Sequence, residues 1–320
     1  MAGFGELRHY PQFDTQVSAC EHGPVNPTRE SIEAYYRGLQ SDLCDRLARL
    51  DGGAGFGVDE WIRPDGGGGT TRVISGGDLF EKGAINVSAV YGPIPAQLGD
   101  KIGAVGAQFF ATGISMIFHP RNPFVPTMHA NLRYFEIEDG TAWFGGGLDL
   151  TPYYLFEDDA EHFHTVCKQV CDRHEVAGYT TMKRACDSYF YLSHRGEARG
   201  IGGLFYDRHA VDLPDQFVFQ QELGDSLYES YAPIVERRRD TSFSEENKRW
   251  HRVRRGRYVE FNLVWDRGTR FGLETGGRTE SILVSMPPEV SWEYAAVPEL
   301  GTAERDLLDV LRGEPRDWAS

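Results

Sequence analysis

The chain has 320 residues, 40% hydrophobic and 12% aromatic, enough to bury a full core as one large domain or two small ones. Its formal charge of −15, with 33 Lys and Arg against 48 Asp and Glu, argues against nucleic-acid binding, which needs a positive field along the contact surface, although bulk charge does not describe a pocket. No apolar run approaches membrane-spanning length, and residues 1–26 are broken by Glu6, Arg8, His9, Asp14, Glu21 and His22. The five cysteines (Cys20, Cys44, Cys167, Cys171, Cys186) make no disulfide framework, so a globular protein of the reducing cytoplasm is expected.

Residues 1–30, rich in Pro, Gly and polar side chains, read as an extended arm, and residues 31–320 as a single domain. Ile32, Tyr35, Tyr36, Leu39, Leu43, Leu47 and Leu50 recur at helical spacing, and Gly52-Gly53 should end that helix. The run Gly66 to Gly69 lacks the Gly-Lys-Ser/Thr of a phosphate loop and reads as a tight turn or lid. Strands are expected at Thr71–Ile74, Ala84–Val90, Gly113–Phe118, His129–Ile137 and Ala142–Asp149. Helices follow from Asp158 to about Glu175, from Thr180 to about Leu192 and from Asp215 to Ile234, before strand character returns at Tyr258–Trp265 and Ser281–Ser285. With no repeat and no strict strand–helix alternation, the expected class is α+β, a single domain with a large, mainly antiparallel β-sheet flanked by helices on both faces.

The stretch from Met128 to Glu136 carries the strongest chemical signal. Side chains two apart on a strand share a face, so His129, Asn131 and Arg133 project together: a proton carrier, an orienting amide and a carboxylate clamp. The same parity groups Ser115, Ile117 and His119 on the preceding strand, and the short Pro-rich connection makes the two strands neighbours. Together they suggest a pocket for an acidic ligand. Downstream, Gly145, Gly146 and Gly147 beside Asp149 fit either close approach of a flat ligand or plain turn chemistry.

His162, His164, Cys167, Cys171 and His174 lie on one helical stretch, and a single straight helix cannot surround a metal tetrahedrally. That segment alone is therefore no zinc site, although His164 remains free to join His119, His129 and His194 in space. Arg195 and Arg199 fit a structural lock or an anion site equally. Arg237 to Arg239, flanked by Glu236 and Asp240, read as a solvated face, which for the set Arg249, Arg252, Arg254, Arg255 and Arg257 is only the bland reading. If Tyr258–Trp265 is a strand, Tyr258, Glu260, Asn262, Val264 and Asp266 share a face, with Asp266 either a turn-initiating acid or a functional one. Gly276, Gly277 and Arg278 offer amides and a guanidinium to a carboxylate.

Assembled in order, His-Pro-Arg-Asn-Pro, Met-His-Ala-Asn-Leu-Arg, Phe-Gly-Gly-Gly-Leu-Asp-Leu-Thr-Pro-Tyr-Tyr, His-Arg-Gly-Glu-Ala-Arg-Gly-Ile-Gly-Gly-Leu-Phe and Glu-Phe-Asn-Leu-Val-Trp-Asp-Arg-Gly-Thr resemble the oxygen-dependent coproporphyrinogen III oxidases from about Ser31 to Tyr294. The one local departure is Ala142, where many relatives carry a second Trp before Trp143. The resemblance implies conversion of two propionates of coproporphyrinogen III to vinyl groups, giving protoporphyrinogen IX with O2 as acceptor and release of CO2. It implies no organic cofactor and a homodimer, to which residues 258–293 contribute. It also implies His129 as proton donor, Asp266 near the pyrrole N–H, and Arg133 as a catalytic and substrate-binding residue. Ser115, Asn131, Leu132, Gly276, Gly277 and Arg278 would contact substrate, and His119, His129, His164 and His194 would hold a divalent metal. A tetrapyrrole carrier would need neither Asp266 nor His129, and the radical route to the same product would need a Cys-x3-Cys-x2-Cys motif, for which Cys167 and Cys171 lack the third cysteine.

Overall fold

The computed structural model describes residues 26–94, 99, 104–274 and 276–319. The expected arm therefore lies mostly outside the described residues. Helix α1 (Arg29–Asp51) begins at a Thr28–Ser31 capping box and ends at Gly52, whose φ of 83° is the left-handed conformation that glycine tolerates best. At its end the buried Asp51 carboxylate accepts the amides of Gly53, Ala54, Asp78, Leu79 and Phe80, which ties the helix end to the start of the strand Phe80–Pro93. Burial opposes the charge on Asp51, but these amides outweigh it and hold the carboxyl below its ordinary range.

Seven strands form one antiparallel sheet: β1 (Gly57–Ile62), β2 (Gly67–Ser75), β3 (Phe80–Pro93), β4 (Gln108–Pro120), β5 (Thr127–Ile137), β6 (Ala142–Thr151) and β9 (Gly203–His209), in that spatial order. β7 (Tyr191–Leu192) and β8 (Glu197–Ala198) pair separately. Gly66 belongs to the turn before β2, as expected, whereas Gly67, Gly68 and Gly69 are the start of β2, with Gly68 and Gly69 paired on both sides. A Cβ at Gly68 would meet the Trp61 carbonyl at 2.3 Å and one at Gly69 the Val87 carbonyl at 2.4 Å, so glycine here serves close strand approach.

The two sheet faces follow the parity of the sequence. Ile85, Val87, Ile114, Met116, Ala130, Leu132, Phe144 and Leu148 fill one face, against α1, α2 (Glu157–Cys171), α4 (Leu213–Asp225) and α5 (Leu227–Arg238). The expected single helix from Asp215 to Ile234 is thus two, and Pro233 inside α5 cannot donate to the Glu229 carbonyl, which accepts from His162 Nε2 at 2.9 Å instead. Arg237 and Arg238 are not merely solvated: they bind Asp158 and Asp159 of α2, while Arg239 donates to the Leu50 carbonyl.

The other face is partly capped by α3 (Tyr179–Tyr189), α6 (Glu245–Glu260), a π-helical turn (Phe261–Trp265), α7 (Arg267–Glu274) and α8 (Thr279–Leu283), with α9 (Ala303–Arg312) further on. The strands expected at Tyr258–Trp265 and Ser281–Ser285 are therefore helical. Local β-propensity yields there to continuation of a helix capped at Ser244 and packed through Tyr258 on Ala84 and Ile117 of the sheet.

Candidate active site

The sheet register places the predicted residues side by side. One row crosses all seven strands as Asp59, Thr71, Asn86, Ser115, Asn131, Gly147 and Phe205, and its neighbour runs Val73, Ala84, Ile117, His129, Asp149 and Gly203. A third includes Ser88, Gly113, Arg133 and Gly145. Directly paired residues share a face, so these rows form a polar floor. Glycine at 145 leaves the Arg133 guanidinium room to lie flat, since a Cβ there would come within 2.9 Å of its Nε.

Above the floor is a chamber of ≈ 520 Å³, within the usual range for a small-molecule site. Ser115, His129, Asn131 and Arg133 line it from the sheet, and Tyr258, Asn262, Asp266 and Tyr189 from the cap. The π-turn explains the cap: the Asp266 amide bonds to the carbonyl of Phe261 rather than one residue later. Tyr258, Asn262 and Asp266, four residues apart, all line the chamber, whereas Glu260 and Val264 of the expected strand row do not.

His119 is on the same face but sealed beneath α8 by its bond to Ser285, and Thr71, Asn86 and Lys82 also tie the 281–286 segment to the sheet. Asp266 Oδ1 accepts from Tyr189 Oη at 2.8 Å and Oδ2 from the Thr269 amide at 2.6 Å. It therefore starts α7, as the turn-initiating reading expected, and also lines the chamber. Arg133 donates to Asn131 Oδ1 at 2.7 Å and to Asp207 at 2.9 Å.

On the same face, between sheet and cap, lies a pair the sequence left undecided. Arg199 gives Nη2 to both oxygens of Asp149, at 2.8 and 2.7 Å, and Nη1 to Asn262, and both charged groups are buried. Burial opposes the charge on Asp149, yet Arg199 and His129 hold its carboxyl below the ordinary range. The ionised carboxylate accepts from His129 Nδ1 at 2.8 Å, which fixes the proton on that nitrogen and leaves Nε2 as the acceptor of the neutral ring.

Two predicted groups fall elsewhere. The Leu132 side chain is in the core behind the sheet, because its parity is opposite to that of Asn131 and Arg133. Gly276, Gly277 and Arg278 lie beyond the chamber wall, where Arg278 donates to Asp59 at 2.6 Å and to Ser281 at 3.1 Å.

The four histidines do not share a site. His119 donates Nε2–H to the Ser285 carbonyl at 2.9 Å and accepts on Nδ1 from Thr127 at 3.2 Å. His164 donates to the Ile201 carbonyl at 3.0 Å and accepts from Tyr179 at 2.9 Å, and burial lowers it to about 3. His194 donates to Glu260 at 2.8 Å and accepts from the Trp265 indole at 2.9 Å. A metal ligand needs a nitrogen lone pair, and in these three rings each lone pair is already taken. Among the described residues no group of three or more His, Cys, Asp or Glu is arranged to hold a metal ion.

The sequence model of the coproporphyrinogen III oxidase family matches residues 31–318. The chain belongs to the coproporphyrinogen III oxidase family. It is 47% identical over 308 residues to coproporphyrinogen-III oxidase 1, chloroplastic, of Arabidopsis thaliana, which covers 91% of this chain and 79% of that relative. Identity, length and both shares are the same, 47%, 308 residues, 91% and 79%, for the oxygen-dependent coproporphyrinogen-III oxidase, chloroplastic, of Glycine max. No helix among the described residues is long and apolar enough to cross a membrane.

Within this family member, sequence reasoning had not marked Tyr189, Tyr258, Asn262 or Asp207 as site residues, nor settled Asp149 and Arg199. Asp149 carried a usable signal, since strand pairing of 127–137 with 142–151 places it opposite His129. Tyr189 and Asp207 had none, because their position depends on how α3 and β9 pack on the rest.

Proposed function

We propose that this chamber binds coproporphyrinogen III and that the chain carries out its aerobic oxidative decarboxylation to protoporphyrinogen IX in haem biosynthesis. Each of two propionates loses CO2 and the equivalent of a hydride to become a vinyl group. O2 takes the two electrons and, with one further proton, leaves as hydrogen peroxide. The observation that carries this reading is the meeting of Arg133, His129 and Asp266 around one chamber in a member of this family.

Substrate is anionic, so its desolvation must be offset by fixed cations and donors. Arg133 is the clamp for one carboxylate, which would replace the weaker, exposed contact to Asp207. Ser115 and Asn131 orient the ring from the same floor. Binding by Gly276, Gly277 and Arg278 would require Arg278 to leave Asp59, and would serve a second carboxylate at the far end of the Ser115 row. Asp266, steadied by Tyr189 and Thr269, is the base that withdraws the pyrrole proton, raising electron density on the ring to be oxidised. His129 moves a proton through Nε2 while Asp149 holds Nδ1. O2 is co-substrate. The engaged nitrogens of His119, His164 and His194 do not fit a metal.

The homodimer belongs to the same reading. Leu263, Val264, Trp265, Leu273 and Trp292, all within 258–293, are large and exposed, which supports a protein partner on that surface. A reducing compartment such as the cytoplasm is supported by the free, buried thiols of Cys44, Cys167, Cys171 and Cys186. The test is turnover of coproporphyrinogen III by metal-stripped protein with and without O2, read by product fluorescence after oxidation, with sedimentation for the dimer. Product should form aerobically only. Anaerobic product would remove the oxidase reading, and loss of activity on stripping, restored by one divalent metal, would refute the account of the histidines.

A further inference from the structure

In the second arginine cluster Arg254, Arg255 and Arg257 are buried. Around a separate cavity of ≈ 110 Å³ stand Arg254 and Arg257 of α6, Arg195 of the β7–β8 turn and Arg312 of α9. Arg254 is only 3% exposed. Its Nη1 donates to Glu197, while its Nε and Nη2, both shielded from solvent, have no hydrogen-bond partner among the described residues. These two nitrogens form one edge of the guanidinium, the side-on fork that grips two oxygens at once.

The nearby carboxylates are already in use. Glu197 is shared by Arg254, Arg257 and Arg312. Glu260 serves Arg195, Arg257, His194 and the Trp292 indole, and Glu293 is bound by Arg249. Burial pushes the Arg257 guanidinium down despite Glu260, and Arg195 and Arg254 push the same way. Buried cationic donors without acceptors are unfavourable, and an added anion relieves both the unmet bonds and the repulsion.

We propose that this cavity is an anion-binding site, separate from the catalytic chamber, that takes a small oxyanion of phosphate or simple carboxylate size on the Nε–Nη2 edge of Arg254. Its volume leaves no room for a nucleotide or a tetrapyrrole. Arg195 and Arg312, with side chains 39% and 43% exposed, form the entrance.

The probe is inorganic phosphate, added to the full chain at constant ionic strength against a chloride control, with binding read by calorimetry and by the melting temperature. We expect a saturable rise in melting temperature. In Arg254→Lys, which keeps the charge but not the fork, half-saturation should move up by about tenfold, as the loss of a charge-assisted hydrogen bond implies. Arg312→Gln, at the partly exposed rim, should weaken binding without disturbing the core and serves if Arg254→Lys does not fold. Arg133→Met tests the catalytic chamber as the alternative location and should leave the response in place. No response beyond chloride, unchanged half-saturation in the Arg254 and Arg312 variants, or loss of the response in Arg133→Met would each overturn the proposal.

Discussion

Asp149→Asn tests the buried ion pair with Arg199 at the chamber wall. The change is nearly isosteric but removes the only carboxylate among the described residues bonded to Arg199, which is 2% exposed and whose guanidinium lies 4.0, 4.6 and 4.8 Å from the ring centres of Phe190, Tyr258 and Phe261. Those rings and Asn262 soften the loss without neutralising the charge. Breaking a buried pair from one side costs about 3–5 kcal/mol, because the remaining ion is uncompensated. Arg199→Met should cost a similar amount, leaving Asp149 with only His129.

In the double variant no charge is stranded, so it should be more stable than the summed single effects predict, by roughly 1–3 kcal/mol. Urea unfolding at fixed protein concentration, followed by fluorescence and circular dichroism, measures all three. The carboxyl's value is lowered on folding, so its contribution is complete above the unfolded value of about 3.9 and disappears as pH falls through the lower folded value. The Asn variant should lack that part of the acid limb. A cost below about 1 kcal/mol for Asp149→Asn, or strict additivity in the double variant, would refute the reasoning.

Asp266→Asn should retain substrate affinity and lose about 10²–10⁴-fold in kcat, the range for a general base, and near-normal turnover would remove Asp266 from the mechanism. Glu260 is held at about 2 by Arg195 and His194 against burial, so its contribution persists above about 4.3 and vanishes as pH falls through about 2. Acid denaturation of Glu260→Gln should accordingly be shallower in that window, and identical limbs would argue against the pairing. Gly147→Ala would place a Cβ 2.3 Å from the Leu204 carbonyl across the ladder, and overpacking of this kind costs roughly 1–3 kcal/mol. A variant with unchanged urea midpoint would show that β6 and β9 can move apart.

What the sequence determined by itself was periodic and local. Alternation grouped Ser115 with Ile117 on β4 and His129 with Asn131 and Arg133 on β5, because parity within a strand needs no knowledge of partners, and the register then joined the two sets. The same parity sends Leu132 to the core, which residue-by-residue likeness to a family did not convey. The capped first helix and the antiparallel class were likewise legible from spacing, caps and turns.

Tertiary structure decided what depends on packing. The aromatic and β-branched stretch at 258–265 has strand propensity, but it continues a capped helix pressed onto Ala84 and Ile117, and its π-turn carries Asp266 to the chamber wall. Histidine clusters are spatial facts as well, and here the ring nitrogens of His119, His164 and His194 are spent on separate partners. The arginine-rich run looked solvated because sequence shows charge but not burial. Only the packed helices show that Arg199 is locked to Asp149 and that Arg254 keeps one edge without an acceptor.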